Sequence, residues 1–584
     1  MNRFKTLSYL SLCFFVLLQQ ACKNDNAIED AVKQVEEGIK KVTEVETESS
    51  CVSLSANPSY KEHIYKNCFH DHYRLGHWTG GTTPLEVNEK PHKYFATLEP
   101  GSIKNEDKPI HLYVVTHGWA PSYREVVKAA DQDVLWWWDN AALNNVWTSN
   151  WFWTPVTLES GEKIIDNGVV QHIVEYERAT NPNDSVIVLA YSWIDNSATL
   201  AFDPSKLHDP LNGFQVRLSE AYTNINGVRM ANAIQSVVSA DFFTTTGNKL
   251  HLMGHSHGSK VVTTATLELQ RANKTVDHLT ILDSPETAFP ADNNGANFLA
   301  YYITDFQIAD PNATSVEEIS SGIRPVFVDN YVSEFGMVYK DSPNANKVVS
   351  VCLDRAALPG SGYTANHAYS GEWYAAAALG AKQFNEAPVG FDWPPVPDNH
   401  MIWSQEWNGG LSSKSQWVLT PNDSKCQSLQ LYSNPVAVNG KKTSGNVSGS
   451  IASTLTMKAE ENGVATPSSF LGYIQVHNTR IEGAGFEMQW QNIQPDDFFI
   501  VTVFTDNATD DPEQVNVEEL EGQERPFIVL DGRSFKESDV WHKLSFNANY
   551  EFYYYFKFHY FPAKDNTTGI INIKNFEAIG RKEL

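Results

Sequence analysis

The sequence predicts an α/β fold, a mostly parallel sheet with helices on both faces, followed by an all-β sandwich. Three observations carry this. Between about residues 105 and 375, short apolar, β-branched runs alternate with helical stretches, as a parallel sheet covered on both sides requires. One of these runs, inside Lys249 to Gln270 (KLHLMGHSHGSKVVTTATLELQ), stops at a Gly-x-Ser-x-Gly turn that opens into a stretch free of Pro and Gly: strand, sharp turn, helix. From about Ala437 the chain becomes rich in Gly, Ser and Lys and then turns into short alternating segments separated by turn signals, the pattern of a sandwich.

The chain's 584 residues are too many for one domain. At the N-terminus, Arg3 and Lys5 precede an apolar run from Leu7 to Leu18, too short to cross a bilayer and charged like a secretory signal. Ala21-Cys22 closes that run and resembles the lipobox of bacterial lipoproteins, whose Cys takes a diacylglyceryl group. This resemblance implies a membrane lipid anchor on Cys22 and display at the outer membrane or cell surface. Where the family usually has Leu three residues before the Cys, this chain has Gln19, with Leu18 one further back, so simple secretion is the alternative. Ile28, Val32, Val35, Ile39 and Val42 then give helical spacing on an acidic segment, too short for a self-sufficient coiled coil and suited to a solvated tether. The expected division is a signal at 1–21, tether at 22–50, α/β catalytic domain at 51–412, linker at 413–436 and β-sandwich at 437–584.

A net charge of −26 repels phosphate backbones and argues against nucleic acid as a partner. With Cys13 removed in the signal and Cys22 lipidated, Cys51, Cys68, Cys352 and Cys426 remain. In an exported chain an even number suggests disulfides; 51 with 68 and 352 with 426 is the most local pairing, and buried free thiols are the other reading.

The central runs are Ile110 to Val115, Val186 to Ala190, Leu250 to Met253, Leu279 to Leu282 and Pro325 to Val328, with Val228, Ala231, Ile234 and Val238 making one apolar helical face between the second and third. Ligands of such sheets bind beyond the carboxyl ends of the strands, so the residues closing each run matter most. The closing residues are Thr-His-Gly-Trp, Tyr-Ser-Trp-Ile-Asp, Gly-His-Ser-His-Gly, Asp-Ser-Pro-Glu and Asp-Asn-Tyr. One offers a nucleophile, Ser256, and two offer carboxylates, Asp283 and Asp329. His251, His255 and His257 crowd the same stretch, but a strand and a tight turn do not converge three ligands on one point, so no metal is expected.

His117-Gly118-Trp119, the elbow Gly254-His255-Ser256-His257-Gly258, and Leu282-Asp283-Ser284-Pro285 follow one another in an order that resembles the α/β-hydrolase superfamily, and within it the lipases of the pancreatic type. Pro285 comes one residue earlier than in that pattern. The resemblance implies Ser256 as nucleophile, the backbone amides of Trp119 and His257 as the oxyanion hole, and no cofactor. It places the base after the last sheet strand, where His367 opens an alanine-rich run; His400 lies in a Pro-rich loop. It assigns the acid to Asp283 as in pancreatic-type lipases, with Asp329, on the next strand, where most of the superfamily keeps it, as the alternative.

Trp136, Trp137, Trp138, Trp147, Trp151 and Trp153 cannot all face one core, so some are expected to line an acyl-binding wall or lid. The loop Asp292 to Asn297 is a second candidate rim. The C-terminal region resembles jelly-roll modules of exported bacterial enzymes, some of which bind carbohydrate; aromatic residues from Tyr550 to Phe561 are a candidate sugar platform, although period-2 strands bury half of them. The loop Asp506 to Glu513 lacks EF-hand spacing. The leading reading is a surface-anchored serine hydrolase of carboxylic esters with apolar acyl groups. A carbohydrate esterase carried by its C-terminal module, and a non-catalytic binding lipoprotein on a hydrolase scaffold, are the alternatives.

Overall fold

Apolar strands bury themselves by pairing, and here they pair into two separate systems. A computed structural model of the chain describes residues 71–79, 95–105, 107–119, 151, 153–157, 163–167, 169–197, 219–285, 326–333, 336, 348–352, 367–368, 370–371, 374, 418–419, 435–436, 438–474, 479–495, 497–504, 524–532, 539–547 and 555–582. The first system contains β1 (Leu75–Trp78), β2 (Phe95–Thr97), β3 (Ile110–Thr116), β4 (Trp153–Thr157), β5 (Lys163–Asn167), helix α1 (Val169–Thr180), β6 (Ser185–Tyr191), α2 (Thr223–Val237), β7 (Lys249–His255), α3 (His257–Arg271), β8 (His278–Leu282), β9 (Phe327–Val332), β10 (Val348–Cys352) and β11 (Val418–Leu419). Nine of these strands form one sheet in the order β11-β10-β9-β8-β7-β3-β6-β1-β2. Pairing is parallel from β11 through to β6 and antiparallel at the β1 and β2 edge. β4 and β5 form a hairpin of their own.

From β3 the chain crosses to β6 on one side and then to β7 on the other. The carboxyl ends of β3 and β7 therefore flank a reversal in strand order, where a parallel sheet leaves a crevice for a ligand. Helices α2 and α3 cover the sheet beside that crevice. Met230, Ala231, Ile234 and Val237 of α2 and Val261, Val262 and Ala265 of α3 share one core with Leu112, Val114, Leu250, Leu252, Leu279 and Val328. Each such Val, Leu, Ile or Met side chain contributes about 1.5–3 kcal/mol through burial.

The second system comprises β12 (Pro435–Val436), β13 (Val438–Ser444), β14 (Asn446–Gly449), β15 (Thr454–Lys458), β16 (Glu460–Glu461), β17 (Val464–Ala465), β18 (Ser468–Ile474), β19 (Thr479–Gln491), β20 (Phe498–Phe504), β21 (Glu524–Asp531), β22 (His542–Asn547), β23 (Tyr555–Phe561) and β24 (Ile570–Lys582). One antiparallel sheet runs β14-β15-β24-β19-β22, a second runs β13-β18-β23-β20-β21, and both turn alternate residues into one core built around Leu455, Phe486, Trp490, Phe499, Phe558 and Ile571. Of the aromatic run read as a candidate sugar platform, Tyr550, Phe552, Tyr553 and Tyr554 lie outside the described residues, while Tyr555, Phe556, Phe558 and Tyr560 are buried. That is the expected fate of inward positions on a period-2 strand.

These sheets also rest directly on α2 and α3. Ile225 and Val228 of α2 join the core of the antiparallel sheets, Arg229 pairs with Asp531 at 2.5 Å, and His542 Nδ1 lies 2.6 Å from Glu268 Oε2 near the end of α3. Helix α2 is consequently buried on two sides. Val228, assigned by its spacing to the same face as Ala231, Ile234 and Val238, belongs to the opposite one.

A further difference concerns Asp329. The sequence ends its strand at Val328, because Asp and Asn are poor strand formers. In the structure β9 continues to Val332, and Asp329 is paired in register with Thr280 inside the sheet rather than at its edge. Outside the described residues lie the leader with Cys22, the tether, Cys51, Cys68, Cys426, Trp136, Trp137, Trp138, Trp147, the loop Asp292 to Asn297, His400 and the loop Asp506 to Glu513. Cys352 closes β10. Trp151 is buried, and Trp153 opens β4.

Candidate active site

The centre of the site is the turn between β7 and α3. Ser256 has φ 58° and ψ −132°, and the other non-glycine residues with positive φ among those described are all Asn or Asp, which tolerate it. The conformation is held from several directions. Ser256 N–H donates to the Leu282 carbonyl at 2.9 Å, and Ser259 Oγ donates to the Gly254 carbonyl at 2.8 Å. A Cβ on Gly254 would run into the backbone of Gly258 and Ser259, and one on Gly258 into the His117 carbonyl. The two glycines thus let β7, α3 and the end of β3 pass at backbone contact, which lifts the serine onto the sheet's carboxyl edge. Gly118 backs against it: a Cβ there would lie 2.5 Å from Ser256 Cβ and 3.0 Å from Ser256 Oγ.

Asp283 follows β8, the neighbour of β7, and is itself in the left-handed region at φ 46°. Its Oδ1 accepts the amides of Ser333 and Gly336, each at 2.8 Å, while its Oδ2 lies 2.6 Å from His367 Nδ1. Burial pushes the carboxyl up, but the bond and charge of His367 and the two amides outweigh it and leave Asp283 below the usual carboxylate range. It is an anion by construction. His367 lies in a helical stretch with Ala368, Ser370, Gly371 and Tyr374.

His255, read in the sequence as part of the elbow and of the histidine cluster around it, holds His367 from the other side. His255 Nε2–H donates to the His367 carbonyl at 2.9 Å, and the two rings meet with centroids 4.4 Å apart. Burial, and secondly the charge of His367, push His255 down to about 3, so it stays neutral beside the other imidazole. His257 is buried with Nδ1 3.1 Å from Ser219 Oγ; burial, then the charge of Lys260, keep it neutral as well. Lys260, fully buried one turn into α3, pairs with Glu220. His251 turns into the sheet, with Nε2 2.7 Å from Thr280 Oγ1. The three histidines that crowd the sequence thus point to three different partners.

Asp329 is not part of this arrangement. Its Oδ1 lies 2.9 Å from His278 Nε2, and its Oδ2 accepts Tyr331 OH at 3.0 Å. Asp329 pairs with Thr280 and Asp283 stands three residues beyond Thr280, so the two carboxylates differ by about 10 Å along the strands.

On the other flank, at the end of β3, Trp119 continues from His117 and Gly118. His117 Nδ1 lies 2.8 Å from the Gly118 carbonyl, and its Nε2 accepts Trp193 N–H at 3.2 Å. Trp193 also donates its indole N–H to the His117 carbonyl at 2.7 Å and stacks on the His117 ring. The Tyr-Ser-Trp run ending at Trp193 was visible in the sequence, but nothing in its spacing linked it to His117.

No family model matches the chain, and no curated protein matches it. Among solved structures, it is similar to an acetylxylan esterase at 13% identity, over 49% of this chain and 100% of the other, with a TM-score of 0.20. It is similar to a family 29 carbohydrate-binding module from Piromyces equi at 12% identity, over 24% and 80% of the two chains, TM-score 0.17. A cleaved adhesin domain of Lys-gingipain is similar at 12% identity over 21% and 70%, TM-score 0.16. Overlaps this shallow assign no activity.

Proposed function

We propose that the protein is an exported serine hydrolase of the α/β-hydrolase type that cleaves carboxylic esters through an acyl-enzyme. The observation that carries this reading is the strained Ser256 at the top of a strand–turn–helix, with the His367–Asp283 pair next to the neighbouring strand end. Asp283 holds the Nδ1 side of His367, so Nε2 is the nitrogen that takes the Ser256 proton as Oγ attacks the acyl carbon. The amides of His257 and Trp119, with the positive end of α3 behind the former, meet the negative charge on the acyl oxygen. His367 then passes the proton to the departing alcohol, and water, deprotonated by the same imidazole, releases the acid. Asp283 offsets the imidazolium formed in both halves. The acyl group is proposed to be apolar, on the strength of the tryptophan-rich stretch before β4. Attachment through Cys22 and carriage of the catalytic region by a C-terminal jelly-roll-like domain belong to the same proposal.

The test is turnover of p-nitrophenyl esters of increasing acyl length, run beside acetylated sugars. Ser256→Ala is expected to lower kcat by about 10⁴ or more in a folded protein. Unchanged turnover by that variant contradicts the serine mechanism, and a preference for acetylated sugars moves the substrate to carbohydrate.

A further inference from the structure

Resting on the serine-hydrolase reading, we propose that His117 and Trp193 are positioning residues that aim the Trp119 amide at the developing oxyanion. The Gly118 carbonyl and the Trp119 N–H belong to one peptide unit, and in a trans peptide they point in opposite directions. Whatever holds the carbonyl therefore also aims the amide.

His117 Nδ1 sits 2.8 Å from that carbonyl. It holds it only if Nδ1 carries the proton, and the other ring nitrogen decides this. Nε2 receives the backbone N–H of Trp193 at 3.2 Å, so it acts as an acceptor and carries no hydrogen; Nδ1 is then the donor. Trp193 fixes the rest of the unit. Its indole N–H binds the His117 carbonyl at 2.7 Å, and its ring lies nearly parallel to the imidazole with centroids 5.6 Å apart. Trp193 and His117 are both fully buried, so neither moves without opening the core. Gly118, between the held carbonyl and the nucleophile, packs against Ser256 itself, which ties the orientation of this peptide to the position of Oγ. A donor aimed at the transition state and not at the ground state raises kcat and leaves KM nearly unchanged.

The experiment compares His117→Ala, His117→Asn and Trp193→Phe in the full-length protein, with a soluble ester and with a trifluoromethyl ketone that forms a tetrahedral adduct on the serine. Asn places an N–H near the Nδ1 position; Phe keeps the ring and the backbone N–H but lacks the indole donor. His117→Ala is expected to lose about 10²-fold in kcat with KM within about threefold, and to bind the ketone more weakly by a comparable factor. His117→Asn should recover most of both losses, and Trp193→Phe should lose about tenfold. Wild-type kcat and ketone affinity in folded His117→Ala overturn the proposal, as does an equal loss in His117→Asn. If His117→Ala does not fold, Trp193→Phe decides: unchanged kcat and ketone affinity there reject the aiming role. Failure of the parent reading shows separately, as wild-type protein that forms no ketone adduct and as activity that survives Ser256→Ala.

Discussion

Two of the histidine–aspartate pairs built on this sheet, His367 with Asp283 beyond the end of β8 at 2.6 Å and His278 on β8 with Asp329 on β9 at 2.9 Å, are organised in opposite ways. At the sheet's edge, Asp283 collects two backbone amides and an imidazole, contacts that favour its ionised form, and its histidine is 17% exposed. Inside the sheet, Asp329 receives an imidazole and a tyrosine hydroxyl, and burial, only partly offset by the charge of His251 and by its hydrogen bonds, pushes its carboxyl up to about 6. His278 is wholly buried and stacked on His251 at 3.6 Å, and burial drives it well below the usual range for histidine. A short His–Asp distance alone therefore does not single out the pair proposed for catalysis. What separates the two is the carboxylate's supply of donors, the exposure of the imidazole, and which pair stands level with Ser256.

The difference is sharpened first by rate. Asp283→Asn is expected to lower kcat by about 10⁴, because the amide no longer holds the imidazole in the tautomer that accepts the serine proton. Asp329→Asn should leave kcat within about threefold, since it lies about 10 Å away along the strands. Steady-state kinetics of the two variants side by side checks this, and a large loss confined to Asp329→Asn reverses the assignment.

Stability gives the second contrast. His278→Ala removes a buried ring packed on His251 and leaves Asp329 without one of its donors, for an expected loss of about 3 kcal/mol with kcat of the remaining folded protein nearly unchanged. His367→Ala, at a partly exposed position, should cost less than about 1.5 kcal/mol while abolishing turnover. Denaturant melts of both, together with their rates, measure the separation.

The smallest effect is in pH, where the two carboxylates carry opposite signs. The folded Asp283 titrates below its unfolded value, so its contribution to stability is complete above the ordinary carboxylate range and is lost as pH falls through the depressed value. The folded Asp329 titrates at about 6, against 3.8 for the ordinary group, so the folded state holds this proton more readily. Its contribution is complete below about pH 4 and is lost as pH rises through about 6, on the order of 3 kcal/mol at most. Melting temperatures of wild type and Asp329→Asn between about pH 4 and 7 should converge or cross as wild type loses this increment, whereas the gap to Asp283→Asn should widen or hold over the same range.

How much of this was legible in the sequence depended on whether the signal was local. The elbow was legible because its glycines are needed within five consecutive positions, and the core runs of β3, β6, β7 and β8 were legible because short, mostly apolar stretches bounded by turn residues have few other uses. β9 was cut short because Asp329 and Asn330 look like strand breakers until a partner on the adjacent strand β8, His278, supplies a buried donor to one of them. The docking of the antiparallel sheets on α2 was not legible either. Ile225 and Val228 make a second apolar face on a helix whose first face already satisfied the expected pattern, and only the three-dimensional neighbour, with Asp531 opposite Arg229, shows why it is there. His255 and Trp193 were in view as letters of motifs, but their contacts span 112 and 76 positions and have no sequence period.

The central claim is that Ser256 is activated by His367 and not by any other histidine near it. The direct measurement is the rate of covalent labelling by a fluorophosphonate, with the modified residue located by mass spectrometry, in wild type, His367→Ala and His278→Ala. The account predicts one adduct, on Ser256, forming at nearly the same rate in wild type and His278→Ala and slower by at least about 10³ in His367→Ala. An adduct on another residue, or labelling of folded His367→Ala at the wild-type rate, would contradict it.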